Sequence, residues 1–375
     1  MKVLFAGGGT LGHIFPCFSV IEKLKKEGSK VYFISGIKEN ERRILKGNSN
    51  IDEVYNIDLQ GFKRKISLYN FVSIKKYFKG IRNIKKIMKE LNPDLVIGMG
   101  GYISAPVLKV ALKLKIKTMI HEQNSVYGLV NNIYKRKVNK VLLSFPIETS
   151  DRISVVGNPR ISEFFEKYYS KRTINKRKVL VVCGSLGASK INDYIIDNID
   201  VFNKLNIEVK LITGNKYYSE NEEKISKFNR FPLTIIPFSD EIYNEILDSK
   251  LVISRSGATT ISEIMGLEKV AIFIPSPNVT NDHQYKNALY FCEKKCAFLV
   301  EEKNIETDLI KEIDRILSND ILIDEVENNI KRLVDKDSMN KFYSQILEVV
   351  KNSDWYNKKI YFRKFNWIYW WKFEF

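Results

Sequence analysis

The stretch Leu251-Val252-Ile253-Ser254-Arg255-Ser256-Gly257-Ala258-Thr259-Thr260-Ile261-Ser262-Glu263 reads as a buried strand, a small hydroxyl-rich turn and the opening of a helix that continues to Leu267. A helix that starts in such a turn presents its first N–H groups without intrahelical acceptors, and these attract anions. Gly257 allows a ligand to approach the backbone, and Thr259, Thr260 and Ser262 carry hydroxyls beside it. Glu263 falls about one turn in, where a carboxylate can accept bonds from two neighbouring sugar hydroxyls. An ordinary capped strand–helix junction would look the same locally, so the rest of the chain has to decide between the two readings.

The same strand, small-residue turn and helix recur on both sides. Upstream, Val179-Leu180-Val181-Val182-Cys183 runs into Gly184-Ser185-Leu186-Gly187-Ala188-Ser189, Val209–Thr213 ends at Gly214, and Thr234-Ile235-Ile236 leads to Pro237-Phe238-Ser239-Asp240. Downstream lies Val270-Ala271-Ile272-Phe273-Ile274-Pro275. An earlier series starts at Val3–Ala6 with Gly7-Gly8-Gly9-Thr10-Leu11-Gly12-His13. It goes on through Val31–Ile34, Asp94–Gly98 with Gly100-Gly101-Tyr102, and Thr118-Met119-Ile120 with His121-Glu122-Gln123-Asn124-Ser125. Apolar strands alternating with helices predict an α/β chain with parallel sheets. Two such series predict two Rossmann-like domains whose ligand loops face a shared cleft. The expected boundaries are 1–160 for the first domain, 161–350 for the second, and 351–375 for a tail outside the fold. That tail holds all four tryptophans, Trp355, Trp367, Trp370 and Trp371, among basic residues.

With 375 residues the chain is long enough for two cores, and 44% apolar content marks it as a folded protein. A net charge of +17 favours an anionic partner: nucleic acid, an acidic membrane surface or a phosphorylated ligand. No base-reading or RNA-stacking motif stands in the folded part, so nucleic acid is not expected as a partner. From Phe62 to Lys89 there is no acid. Phe71, Ile74, Phe78, Ile81, Ile84 and Met88 recur at helical spacing among lysines, a pattern that fits either a helix packed on the sheet or one lying on an anionic leaflet. No secretory signal or membrane-spanning run is read. Cys17, Cys183, Cys292 and Cys296 form no metal-ligand pattern and are expected as reduced thiols, which points to the cytosol or a surface facing it.

Gly7, Gly9 and Gly12 fit G-x-G-x-x-G, but a dinucleotide site also needs an acid at the end of the next strand, and that strand ends in Ser35-Gly36. A nicotinamide or flavin cofactor is therefore not expected. His13, at the helix start, is the candidate general base because an imidazole titrates near neutrality. Glu122, just past a strand end, is the second candidate, as base or as orienter of an acceptor.

Taken together, Gly8-Gly9-Thr10 with Gly12-His13, Gly100-Gly101-Tyr102, His121-Glu122-Gln123-Asn124, Gly157-Asn158-Pro159, Gly184-Ser185 with Gly187-Ala188, Arg255–Glu263, and Gln284-Tyr285 with Asn287-Ala288 resemble the MurG family of N-acetylglucosaminyltransferases over about residues 1–350. The resemblance implies a GT-B architecture and inverting transfer of N-acetylglucosamine from UDP-N-acetylglucosamine to the muramoyl C4 hydroxyl of lipid I. The product would be lipid II for peptidoglycan synthesis, made on the cytoplasmic face of the membrane with no metal or other cofactor. Carried over by residue, Glu263 matches the ribose-binding glutamate, and Ala258, Thr259, Thr260, Ile261 and Ser262 the nucleotide-facing turn. Ser185 matches a serine near the diphosphate, Ser239 the uracil-side loop, and Gln284 a glutamine that reads the sugar hydroxyls. Thr10, Leu11, Gly12 and Asn124 match first-domain loops around sugar and acceptor, and Arg160 an arginine of the donor site. The sequence departs from the family pattern at Leu11, Cys183, Leu186 and His283, and Arg160 stands one place early. The alternatives are another GT-B transferase, a UDP-N-acetylglucosamine epimerase, or a non-catalytic basic membrane-binding protein.

Overall fold

A computed structural model describes residues 1–59, 68–168, 177–183 and 188–351. Among them the chain divides into two compact units: Met1–Glu122, Tyr127–Val156 and the segment from Met339 onward form the first, and Gln123–Val126 with Gly157–Ser338 the second.

The first unit holds strands β1 (Lys2–Ala6), β2 (Lys30–Ser35), β3 (Glu53–Asn56), β4 (Leu95–Gly98), β5 (Lys117–Glu122), β6 (Lys140–Leu143) and β7 (Ile153–Val155). They pair in the order β3-β2-β1-β4-β5-β6-β7, and every pairing is parallel. Parallel strands need helical crossovers that cover both faces, which is why β1 and β4 read as unbroken apolar runs. The period of two then sends their side chains to opposite layers. Val3, Phe5, Leu95 and Ile97 enter one cluster with Ile14, Val20 and Ile21, while Leu4, Ala6 and Val96 enter another with Ile84, Met88 and Ile103.

The second unit repeats the plan with β8 (Lys178–Val182), β9 (Glu208–Ile212), β10 (Leu233–Ile236), β11 (Leu251–Ser254), β12 (Ala271–Phe273) and β13 (Phe298–Leu299). Their order is β10-β9-β8-β11-β12-β13, again parallel throughout. In both sheets the strand order reverses beside the first strand, between β1 and β4 and between β8 and β11. Open α/β sheets bind ligands at such switch points.

Two features of the expected division are corrected. The chain leaves the first unit after Val156, slightly before position 160, and segment 339–350 belongs to the first unit, not the second. Residues 338–351 are helical, and Phe342 and Ile346 are fully buried in the cluster that contains Val3 and Phe5. Lys117 Nζ donates to the carbonyls of Val349 and Val350 at 2.8 Å, and Ser154 Oγ donates to Gln345 Oε1 at 2.9 Å. An apolar stripe on the last described helix is what draws the chain back. Positions 62–67 of the basic stretch and the tryptophan-rich tail lie outside the described residues.

Candidate active site

In the second unit the site is built on the helix Ala258–Gly266, which follows β11. Its first intrahelical amide bond runs from Ile261 N–H to the Gly257 carbonyl at 2.9 Å, so the amides of Ala258, Thr259 and Thr260 precede the helical ladder. A Cβ added to Gly257 would meet only Thr260 Oγ1, at 4.0 Å, so the space above this turn is open. Ile261 is fully buried, and Ser262 is 4% exposed with its hydroxyl donating to the Ala258 carbonyl at 2.7 Å. These two residues seat the helix on the sheet, and the Ser262 hydroxyl, expected at the nucleotide-facing turn, gives its proton to its own helix.

Glu263 lies one turn in, its side chain 17% exposed, and it has a buried partner. Arg160 Nε and Nη2 both donate to Glu263 Oε1, at 3.2 and 2.5 Å. The same guanidinium donates from Nη1 to Glu163 at 2.7 Å and from Nη2 to the Tyr243 hydroxyl at 3.2 Å, and it lies 4.4 Å over the Phe164 ring. Burial raises the Glu263 pKa while Arg160 pulls it down. For Arg160, burial works against the charge, but Glu263 and Glu163 outweigh it and raise its pKa. A guanidinium does not give up its proton in proteins, so the carboxyl is the member of this pair that responds to pH. Arg160 was expected at the donor itself; the structure instead buries it to 5% exposure as the support that aims Glu263.

Around this helix, Arg255 Nη1 donates to the carbonyls of Ile274 and Pro275 at 3.1 Å, while its Nη2 pairs with Glu302. The loops after β11 and β12 are thereby tied together. Gln284, near the start of the next helix, accepts through Oε1 from Ser276 N–H at 2.9 Å, which ties that helix to the loop after β12. His283, the first residue of the helix His283–Glu293, has its Nδ1 2.9 Å from the Thr280 carbonyl. Ser239 follows β10, its hydroxyl accepting from Glu241 N–H at 3.2 Å. Cys183 ends the β8 segment, and burial pushes its thiol up to about 12. Ser185 lies outside the described residues.

Asn287, quoted among the motif residues, gains no role from the sequence alone. Fully buried, it accepts from Ser125 N–H at 2.8 Å and donates to Asn124 Oδ1 at 3.1 Å and to the Ser256 carbonyl at 3.2 Å. Asn124 was expected on a first-domain loop; these bonds fix it to the second unit, beside the β11 turn. An asparagine four residues into a helix gives no local sign of such a task, since its partners are distant in sequence.

In the first unit, the turn after β1 passes Gly8, Gly9 and Thr10 into a short 3₁₀ turn, Leu11–His13. Thr10 is exposed and Gly12 half-buried, whereas Leu11, where the family pattern has glycine, packs on the core. His13 Nδ1 lies 3.0 Å from the Gly8 carbonyl and 3.3 Å from Thr10 Oγ1. Because a carbonyl only accepts, the neutral ring carries its proton on Nδ1 and its lone pair on Nε2. A Cβ at Gly100 would stand 2.8 Å from His13 Cδ2, so the imidazole sits against the turn after β4, at the switch point. Ser104 Oγ locks that turn from a position 2.7 Å from both the Ala6 and the Gly100 carbonyl, between which its one proton is shared.

Glu122 is placed differently. It is 1% exposed, and its Oε2 accepts from Gly128 N–H at 2.9 Å and Asn131 Nδ2 at 2.8 Å. This carboxylate shapes the loop that carries Asn124. Neighbouring His121 is buried as well, 3.1 Å from Ser144 Oγ and edge-on to Phe342 at 5.2 Å.

The glycosyltransferase family 28 N-terminal domain matches residues 3–143 and the family 28 C-terminal domain residues 178–346. A UDP-N-acetylglucosamine–N-acetylmuramyl-(pentapeptide) pyrophosphoryl-undecaprenol N-acetylglucosamine transferase from Bacillus cereus is 36% identical over 364 residues, covering 94% of this chain and 100% of its own. A transferase of the same name from Lactococcus lactis subsp. cremoris is 32% identical over 357 residues, with 93% and 99% covered. Among solved structures, MurG of Acinetobacter baumannii aligns with a TM-score of 0.73 at 25% identity, over 93% of this chain and 100% of that one. Fold and site together define a UDP-sugar glycosyltransferase built from two Rossmann-like domains. The chain belongs to glycosyltransferase family 28 and, within it, to the MurG family.

Proposed function

We propose that this chain transfers N-acetylglucosamine from UDP-N-acetylglucosamine to the C4 hydroxyl of the N-acetylmuramoyl unit of lipid I, giving lipid II for peptidoglycan synthesis. The observation that carries the proposal is Glu263 aimed by Arg160 one turn into a helix that opens at a switch point, in a chain that aligns over 94% of its length with the whole of a transferase of this name. Glu263 accepts the ribose hydroxyls of the donor. The Ala258, Thr259 and Thr260 amides, with the threonine hydroxyls and Ser185, meet the charge that builds on the diphosphate as it leaves. Removing one such donor typically costs ~3 kcal/mol of barrier. Gln284 and Asn124 read the sugar, the Ser239 loop faces the uracil, and Thr10, Leu11 and Gly12 border the acceptor. No metal enters this account of the charge.

His13 is the base. Its Nε2 lone pair takes the C4 proton while that oxygen attacks the anomeric carbon from the face opposite UDP. The bond from that carbon to the diphosphate oxygen breaks, its electron pair leaves with UDP, and a β-1,4 linkage results. Glu122 acts at one remove, by shaping the 123–128 loop. The test is UDP release with a soluble lipid I analogue. Release should depend on the acceptor and fall at least tenfold in His13→Ala and Glu263→Ala; full activity in both variants rejects the assignment, and release without acceptor rejects transfer.

The acceptor is borne on a membrane lipid, and the first unit offers a surface suited to it. On the helix Leu68–Leu91, Lys75, Lys79, Arg82, Lys85, Lys86 and Lys89 are exposed, Phe78 is 65% exposed beside them, and Ile84 and Met88 are buried beneath. No described helix is long and apolar enough to cross a bilayer. Peripheral attachment to the anionic cytoplasmic leaflet follows as our reading. It predicts flotation with anionic but not neutral vesicles, weakened by salt; equal binding to both kinds would reject it.

A further inference from the structure

The loop that carries His13 is gripped from its other side by a carboxylate that no sequence motif singled out. Glu41, 1% exposed, comes from the helix Glu39–Lys46 and accepts from Gly9 N–H at 2.9 Å through Oε1 and from Ser35 Oγ at 3.2 Å through Oε2. The pocket is shaped for this group. A Cβ at Gly8 would lie 3.0 Å, and one at Gly36 3.3 Å, from Glu41 Oε2. Lys38 Nζ fixes the next carbonyl by donating to Gly9 O at 2.6 Å.

The N–H that Glu41 holds and the carbonyl that His13 holds belong to one peptide unit. Gly9 N–H points to Glu41 Oε1, and the Gly8 carbonyl accepts from His13 Nδ1 at 3.0 Å. That peptide is planar and conjugated, so a negative charge at its N–H end strengthens the oxygen at its other end as an acceptor. We propose that Glu41 is a positioning residue for the transfer reaction: acting through the Gly8–Gly9 peptide, it holds His13 as the Nδ1–H tautomer with its lone pair on Nε2. The dinucleotide pattern asked for an acid at the end of β2, and Ser35-Gly36 stands there. An acid does serve the glycine loop, but it arrives from the following helix and takes the protein's own Gly9 amide.

The catalytic half of this inference rests on His13 being the base; the tautomer half needs no substrate. The experiment pairs ¹⁵N NMR of the His13 ring, at a pH where it is neutral, with steady-state kinetics and UDP titration of the full chain. Glu41→Gln keeps an acceptor of the same reach without the charge. It should retain the Nδ1–H tautomer with a shifted Nδ1–H resonance and lower kcat about threefold to tenfold, leaving the donor KM and UDP affinity unchanged. Glu41→Ala should mix the tautomers and lower kcat about tenfold to a hundredfold. A wild-type ring resonance and wild-type kcat in Glu41→Gln overturn the proposal, even if Glu41→Ala fails to fold. A wild-type chain that does not bind UDP but shows the Nδ1–H tautomer, with the predicted change in Glu41→Gln, would defeat the donor reading and leave the Glu41 coupling standing.

Discussion

At the scale of single residues, one arginine shows how a departure from a family pattern acquires a task. Arg160 stands one position early for a donor contact, and its fork instead binds Glu263, Glu163 and Tyr243 in a nearly buried cluster. Arg160→Met leaves Glu263 buried without its counter-charge, and breaking such a pair costs about 3–5 kcal/mol. Burial then continues to raise the Glu263 pKa. A carboxyl raised on folding contributes its stability below its unfolded value of about 4.3, and that stability is lost as pH rises through the folded value. The melting deficit of the variant against wild type should therefore be widest at neutral pH and narrow toward pH 4; a constant deficit would show that Glu263 does not carry it. Gly257 gives the opposite case. Its φ of −63° suits any residue and the space beyond it is open, so Gly257→Val should fold with little change in melting temperature yet weaken UDP binding at least tenfold by calorimetry.

At the scale of elements, the glycine turns work because side chains from the next element close them. Ser104, one turn into the helix Gly101–Lys113, holds the turn after β4, and Asn287, in the helix His283–Glu293, holds the turn after β11. Strand placement uses the same device. Asp52, ahead of β3, accepts from Val31 N–H on β2 at 2.6 Å and from Lys25 at 2.8 Å. Burial works to raise the Asp52 pKa, but those two bonds together with the charges of Lys25 and Lys30 outweigh it, and the net shift is downward. A carboxylate depressed on folding contributes stability above its unfolded value near 3.9 and loses it as pH falls through the folded value. Acid unfolding of Asp52→Asn should thus lack part of the wild-type loss below about pH 4; identical acid limbs for the two proteins would exclude that role.

At the scale of the whole molecule, the first unit is completed by chain that arrives last. Phe342 and Ile346 fill a cluster otherwise made of residues from the first half of the sequence. Truncating a buried phenylalanine costs about 3–5 kcal/mol. Phe342→Ala should accordingly lower hydrogen-exchange protection in β1, β4 and β5 while leaving β8 and β11 unaffected. Equal loss in both sheets would mean that the returning helix does not stabilise the first unit selectively. The short Gln123–Val126 excursion works the other way, setting Asn124 among second-unit residues although both flanks belong to the first.

The local sequence determined what local physics governs: apolar runs that become parallel strands, small-residue turns at their ends, a helix whose opening amides suit an anion, and an imidazole beside a glycine loop. The positions of Glu263 and His13 beyond the ends of strands were legible because each is set within one strand–turn–helix unit. Tertiary structure alone decided which polar groups are consumed by the protein itself. The Glu122 carboxylate goes to Gly128 and Asn131, the Ser262 hydroxyl to its own helix, and the Arg160 guanidinium to Glu263. It also decided that Glu41 and Phe342 matter, and which groups Asn287 holds. Burial makes a hydrogen bond or a packed ring count, and burial depends on elements that meet only after the chain has folded.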